Sequence, residues 1–487
     1  MTASGREKGV EVGMSIDEVA VGVFPPERFE SVIPEERFRE FMQAVGRARK
    51  TLEGRVVWNI NSTAAGGGVA EMLRSLLAYA RGAGVDARWV VISGNPEFFT
   101  ITKRIHNNLH GAGGDGGPLG DHERKIYEDS LEPNIEELGA RVRPDDVVIV
   151  HDPQPSGLIQ PLKDLGATVI WRCHVGLDLP NETARRAWNF LIPYVKPADQ
   201  FVFSRRAFAW EGLDGSKITI VAPSIDAFSP KNQELDEANN AGILDDAGII
   251  HEARDGSATF VRQDGSPGRV DSAVDFHEGG DAPPSGVPLV VQVSRWDRLK
   301  DPVGVIRGFA EHVAAHTNAH LIMAGPAVEA VSDDPEGAQV LDEARDAWSA
   351  LSDDLKPRVH LAALPMDDGE ENAAIVNALQ RRANVVVQKS LAEGFGLTVA
   401  EAMWKARPVV ASRIGGIQDQ IEDGVSGVLV SDPTDLAEFG GAVRGLLTDA
   451  DRATKMGADA QERVRAEFLG PRHLMQYVEL ITGLIQG

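Results

Sequence analysis

The chain has 487 residues, 43% of them hydrophobic and 25% charged, and its 49 Lys and Arg face 73 Asp and Glu for a formal net charge of −24. Such an acid balance argues against a general nucleic-acid or anionic-membrane surface, which needs clustered cations, but leaves room for a small anion held by a few local donors. The single cysteine, Cys173, excludes an intrachain disulfide and a cysteine metal cluster.

Residues 1–22 carry no apolar core of signal-peptide length, and no later stretch reaches the roughly 18 apolar residues of a membrane span, so a cytoplasmic protein is expected. From Val56 onward, short β-branched runs alternate with amphipathic ones. Val56–Ile60 predicts a strand, Gly66, Gly67 and Gly68 a turn, and Val69, Met72, Leu73, Leu76, Leu77 and Ala80 one face of a helix. Arg88–Ile92, Val147–Val150, Thr168–Trp171, Gln200–Phe203 and Ile218–Val221 predict further strands. Asn232–Gly286 is acidic, weak in apolar periodicity and rich in Gly, Asp and Pro at its end. It reads as an interdomain insertion, mobile in part, with one short strand over Thr259–Arg262. The alternation resumes at Leu289–Val293, His320–Met323, Val359–Leu361, Val385–Val387, Pro408–Ala411 and Val428–Val430. Helical patterns over Val303–Ala314, Asn372–Arg382 and Leu436–Leu447 separate them.

Near-continuous apolar strands separated by helices indicate parallel sheets covered on both faces. The expected fold class is therefore α/β, with two doubly wound Rossmann-like domains facing each other across a cleft. The expected boundaries are an N-terminal extension over 1–22, a first domain over 23–231 joined by a C-terminal helix over 468–487, an insertion over 232–286, and a second domain over 287–467.

Ligands of such sheets bind beyond the carboxyl ends of the strands, and the chemistry-bearing residues fall there. Gly66–Gly68 would let backbone N–H groups approach an anion at a helix start. Arg295 and Lys300, after Leu289–Val293, offer a planar fork and a mobile point charge to one oxyanion. Glu393, Gly394, Phe395, Gly396, Leu397 and Thr398, with Glu401 about one turn further, combine a flexible loop, a helix N-terminus and two carboxylates. His151, Asp152, Gln154, Arg172 and His174 stand at strand ends in the first half.

With these residues in view, the chain resembles the GT-B retaining glycosyltransferases related to glycogen and sucrose synthases, and within them the trehalose glycosyltransferring synthases. The carriers are the stretches 57–73, 89–107, 147–155, 171–178, 221–232, 393–410 and 415–421. The resemblance implies transfer of glucose from ADP-, UDP- or GDP-glucose to free glucose, giving α,α-trehalose, reversibly. It implies that Arg295 and Lys300 neutralise the leaving diphosphate, that Leu397 and Thr398 offer it N–H groups, and that Glu401 binds ribose hydroxyls. Glu393, assisted by Gly394, Phe395 and Gly396, would hold donor hydroxyls, and Gly67 and Gly68 would close over the phosphates. His174 would lie near the reacting carbon, and Asp152 and Gln154 would hold the acceptor. No enzyme nucleophile and no metal are implied; free Mg2+ enters only as an optional stimulant. A homodimer is usual in this group.

Two departures stand out: the length of the 232–286 stretch, and Asp301, which follows Lys300 where the wider superfamily commonly has glycine. Competing readings are a retaining transferase with a phosphorylated or lipid acceptor, for which Lys103 and Arg104 would supply cations, and a non-catalytic nucleotide-sugar sensor.

Overall fold

The computed structural model describes residues 16–64, 67–251, 257–277, 280–327 and 335–486. The expected extension over 1–22 thus lies mostly outside the described residues, as does Gly66 of the glycine turn. Two units are distinguished. The first takes residues up to Pro25, Gly46–Ile220 and the chain from Glu479 on; the second takes Pro26–Val45 and Val221–Val478. These divisions differ from the expected boundaries at 22/23 and 231/232.

The first unit is built on seven strands: β1 (Asp17–Val19), β2 (Val56–Asn61), β3 (Asp86–Val91), β4 (Val147–His151), β5 (Thr168–Cys173), β6 (Gln200–Phe203) and β7 (Ile218–Ile220). Their order is β1-β3-β2-β4-β5-β6-β7, parallel throughout except for the antiparallel edge strand β1. Every residue of β2 and β4 is buried, as a sheet covered on both faces requires. Helix α1 (Glu35–Thr51) is divided between the units. The crossovers are α2 (Gly68–Gly82), α3 (Pro96–Leu109), α4 (Asp121–Gly139), α5 (Ile159–Asp164) and α6 (Glu182–Val195). The starts of α3 and α6 are written locally: Asn95 accepts from Phe98 N with Pro96 at the first position, and Asn181 accepts from Ala184 N. Buried Asp146 accepts from Val56 N (2.9 Å) and Trp58 Nε1 (3.2 Å), which pins β2 to the start of β4.

In the second unit, α7 (Glu237–Asp246), the hairpin β8 (Thr259–Val261) and β9 (Pro267–Arg269), and the short β10 (Asp275–Phe276) precede the main alternation. That alternation runs β11 (Leu289–Val293), α8 (Pro302–His312), β12 (His320–Pro326), α9 (Pro335–Ser349), β13 (Val359–Leu364), α10 (Gly369–Arg382), β14 (Val385–Gln388) and α11 (Leu397–Trp404). It continues through β15 (Val409–Ser412), α12 (Ile417–Gln420), β16 (Val428–Val430), α13 (Leu436–Thr448), α14 (Ala450–Glu467) and α15 (Gly470–Gln486), the last divided between the units. The sheet order is β10-β13-β12-β11-β14-β15-β16, again parallel apart from the edge strand β10.

The stretch expected as an insertion therefore holds regular structure within the second unit, and only 252–256 and 278–279 of it lie outside the described residues. Arg262 reaches Asp368 (2.6 Å) and Glu370 (3.1 Å), and Glu371 accepts from Asp271 N and Ser272 N (2.6 Å each), so the N-terminus of α10 collects the hairpin. Few but well-placed apolar residues anchor it: Ile243, Leu244, Ile249, Ile250, Phe260 and Val270 are all buried. Among the described residues no helix is long and apolar enough to cross a membrane.

Candidate active site

In each sheet the strand order reverses once, between β2 and β4 in the first and between β11 and β14 in the second. A reversal sends the flanking crossovers to opposite faces and leaves a crevice at the carboxyl ends of those two strands. Most of the candidate residues stand on the four loops that leave these strands, while His174 follows β5 and Glu401 lies within α11.

After β11 the chain makes a tight turn in which Asp297 accepts from Leu299 N (2.8 Å), and buried Gln292 donates to the Lys300 carbonyl (3.0 Å). The Lys300 ammonium lies 2.5 Å from Glu393 Oε2, on the loop after β14. Leu391 N donates to Leu299 O (2.7 Å), so main-chain and side-chain bonds join the two loops. Arg295 stands apart from this contact, with its side chain more than half exposed and its guanidinium 3.7 Å from Asp297.

Beyond Glu393 the loop passes through Gly394, Phe395 and Gly396 into α11. Gly396 takes φ 79°, the left-handed region that glycine enters without a Cβ penalty, and caps the helix with no side chain. The first N–H groups of a helix have no acceptor within it, and in α11 these are the groups of Leu397 and Thr398 at the end of this loop. The Thr398 hydroxyl donates to Gln388 Oε1 (3.1 Å). The turn at Gly415 and Gly416 backs the loop: Gly416 N donates to Gly394 O (2.9 Å), and Gln420 Nε2 donates to Phe395 O (2.5 Å) and Gly396 O (3.2 Å). Gly415, Gly416 and Gln420 belong to a stretch that carried the resemblance but received no role from sequence.

One turn into α11, Glu401 is buried, with Lys231 Nζ 3.8 Å from its Oε1. The amine of buried Lys405 donates to Glu401 O (3.1 Å), Asn232 Oδ1 (3.0 Å) and Gln380 Oε1 (2.8 Å), and burial holds it below the ordinary lysine range. Lys231 and Lys405 were not found from sequence, because their partners lie up to 173 residues away along the chain.

In the first unit, Gly67 (φ 84°) precedes α2, which begins at Gly68. His151 closes β4, and its Nδ1 lies 3.1 Å from Nε2 of His174, which follows β5; its Nε2 lies 3.1 Å from Asn59 Oδ1. Burial beside Arg172 pushes His151 down to about 3, so the ring is neutral at physiological pH. Asp152 adopts φ 64° and accepts from His174 N (2.7 Å), while burial raises its carboxyl to about 6. Gln154 sits partly buried in the same turn. The structure thus brings Asp152, His151 and His174 together, and Asn59 is the member of that cluster that sequence did not flag. Arg104, expected to supply a cation, is bound to Asp115 (2.6 and 2.8 Å) and the Pro118 carbonyl (2.6 Å). Among the described residues no group of three or more His, Cys, Asp or Glu is arranged to hold a metal ion.

Comparison with known proteins agrees with this layout. Residues 59–210 match the family described as trehalose synthase, N-terminal domain, and residues 276–463 match glycosyl transferases group 1. A trehalose synthase of Rubrobacter xylanophilus is 35% identical over 461 residues, covering 94% of this chain and 96% of that protein. A trehalose phosphorylase of Grifola frondosa is 25% identical over 432 residues, 84% of this chain and 54% of that protein. Among solved structures, a UDP-forming α,α-trehalose-phosphate synthase from Burkholderia vietnamiensis superposes with a TM-score of 0.62 at 15% identity, over 88% of this chain and 98% of that one, which shows the shared GT-B fold. The chain therefore belongs to the trehalose synthase family, glycosyltransferases of trehalose metabolism.

Proposed function

We propose that the protein transfers glucose from a nucleoside-diphosphate glucose to the anomeric hydroxyl of free glucose, forming α,α-trehalose and the nucleoside diphosphate, and that it runs in both directions. The observation that carries this reading is the Lys300–Glu393 contact at the start of α11, which sets a cation, a carboxylate and a helix N-terminus on one loop pair. The bond from the donor's anomeric carbon to the phosphate oxygen breaks with its electrons going to the diphosphate. The acceptor's anomeric oxygen forms the new bond on the same face, and its proton goes to the leaving phosphate.

Lys300, Arg295 and the N–H groups of Leu397 and Thr398 stabilise the charge that grows on the diphosphate, a fixed arrangement that needs no reorganisation at the moment of reaction. Gly67 and Gly68 add backbone N–H groups to the phosphates. Glu393, with Gly394, Phe395 and Gly396, holds glucose hydroxyls, and Glu401 holds the ribose. His174 lies on the sugar side, and Asp152 and Gln154 hold the acceptor. Of the two cations expected for a phosphorylated acceptor, Lys103 and Arg104, the second already serves Asp115 and the Pro118 carbonyl, which supports free glucose as the acceptor.

A second reading, transfer between glucose 1-phosphate and glucose, is favoured by the similarity to a trehalose phosphorylase. One experiment separates the two. The protein is incubated with glucose and, in parallel, ADP-, UDP-, GDP-glucose or glucose 1-phosphate, and products are resolved by chromatography. Trehalose with matched nucleoside-diphosphate release is the expected result; trehalose formed only from glucose 1-phosphate, with phosphate release, overturns it.

A further inference from the structure

We infer that Asp301 and Lys389 act as a positioning pair that sets Lys300 against Glu393, an inference that rests on the donor-site reading above. Asp301 adopts φ 51° and ψ 53°, the left-handed region that glycine enters without a Cβ penalty. Aspartate enters that region more readily than most residues, and here its carboxylate has two tasks. Oδ1 accepts from Gly304 N (3.0 Å) and caps α8, and Oδ2 pairs with the Lys389 ammonium.

Lys389 is fully buried in the loop that leaves β14, four residues before Glu393. A buried ammonium without its counter-ion is strongly unfavourable, so Asp301 cannot swing away without stranding it. Space is reserved for this arrangement as well: a Cβ at Gly304 would lie 2.0 Å from Asp301 Oδ2, so a side chain there would expel the carboxylate.

The consequence concerns the neighbours. Asp301 follows Lys300 directly, and Lys389 leads into Glu393, so the Asp301–Lys389 pair ties the backbones of the two loops beside the contact they present. The Leu391–Leu299 hydrogen bond ties them a second time, and Gln292 fixes the Lys300 carbonyl from below. Lysine carries a flexible four-carbon stem, and its position here is set by these anchors. The Asp301 carboxylate engages Lys389, and the lysine beside it in sequence keeps Glu393 as its partner.

The test uses the full-length protein with Asp301→Asn, Lys389→Met, the double variant Asp301→Asn/Lys389→Met, and Lys389→Arg. Asparagine tolerates the left-handed backbone and can still cap α8, and methionine fills the lysine's volume without charge, so the double variant leaves no unpaired buried charge. Unfolding midpoint, kcat, KM for donor and acceptor, and calorimetric affinity for the nucleoside diphosphate are measured. The expected result is a double variant that melts near wild type, with kcat lowered 10- to 100-fold, nucleoside-diphosphate affinity lowered several-fold, KM for glucose within about threefold of wild type, and partial rescue by Lys389→Arg. A double variant that melts, binds and turns over like wild type overturns the inference, because the two loops then hold their spacing without the pair. A loss confined to KM for glucose overturns it too. If wild type neither binds nor turns over any nucleoside-diphosphate sugar, the donor-site reading itself fails and takes this inference with it.

Discussion

Replacing Gly415 by alanine tests the backing of the Glu393 loop. Gly415 takes φ 47°, and a Cβ built on it would lie 1.8 Å from the Glu393 carbonyl oxygen, where real Cβ contacts are no shorter than about 3.0 Å. The left-handed backbone costs alanine about 1 kcal/mol. The clash cannot be relieved by a side chain turning aside, because the opposing atom is backbone. The loop must move by more than 1 Å, and it carries Glu393 and leads into α11. A displacement of that size at a reacting centre costs roughly 100-fold in rate, or about 2.7 kcal/mol of transition-state stabilisation. Gly424→Ala supplies the control: its φ is 78°, and a Cβ there meets nothing within 4 Å, so it carries the backbone strain without the clash. Both variants should lose about 1 kcal/mol or more of stability in denaturant titrations, and only Gly415→Ala should lose activity in the trehalose-forming assay. Equal kcat/KM in the two, within about threefold, would refute the claim that this close approach governs the loop.

Further outcomes follow from the same geometry. Lys300→Ala should lower kcat by about 100-fold or more while KM for glucose stays within about threefold, since the charge it meets grows in the transition state; unchanged steady-state turnover would remove Lys300 from that role. Glu393→Gln should have effects of opposite sign: removing the carboxylate 2.5 Å from Lys300 leaves the cation available, so calorimetry should show bare nucleoside diphosphate binding about 3- to 10-fold tighter while transfer falls. Weaker binding would contradict the pairing argument. Acid stability should depend on His151, whose folded value near 3 lies below the ordinary histidine value of about 6.5. The unfolded chain takes up a proton as pH falls through about 6.5 and the folded chain does not, so this contribution is present at neutral pH and lost toward acid. Asp152 acts the other way, because its folded value near 6 lets the folded chain hold a proton that the unfolded chain has released, so its contribution is lost as pH rises through about 6. Between pH 7 and 4.5 the histidine alone costs about 2.5 kcal/mol, so His151→Gln should flatten the acid limb of denaturant midpoints, and parallel curves for the two proteins would refute the assignment.

The sheets were legible because each central strand announces itself as a short β-branched run, and a parallel sheet leaves few other ways to bury Val385–Val387 or Val147–Val150. The loop residues Lys300 and Glu393 were legible because they follow such runs directly. Less could be read where partners are remote. Lys231 meets Glu401 across the whole 232–286 stretch, and nothing local marks it. Lys389 reads as one polar residue among several after a strand, although Asp301 followed by Pro302 is a helix-start signal that places a carboxylate beside the Lys300 turn. The structured character of 232–286 was hidden because its helix and hairpin bury only a handful of apolar side chains and take much of their hold from Glu370 and Glu371 on another element. The engagement of Arg104 was hidden as well: its counter-ion Asp115 sits in a glycine-rich loop that carries no pairing signal.

The net charge of −24 and the proposed anionic donor look opposed, and the second unit shows how they are reconciled. Charges separated by more than about 8–10 Å are largely screened in physiological salt, so the diphosphate responds to its immediate neighbours rather than to the surface total. In the second unit the cations of the candidate site each stand beside a carboxylate: Lys300 with Glu393, Lys389 with Asp301, Lys231 with Glu401 and Arg295 with Asp297. Such a site is close to neutral before a ligand arrives, which spares it the desolvation cost of unpaired buried charge. On the donor reading, glucose hydroxyls engage Glu393 as the diphosphate engages Lys300, so one internal pair is exchanged for two ligand contacts. An isolated anion supplies only half of that exchange and gains correspondingly less. Preference for a nucleotide sugar over a free phosphate then arises from the pairing itself, and it requires the two loops to hold their spacing, the task assigned to Asp301 and Lys389.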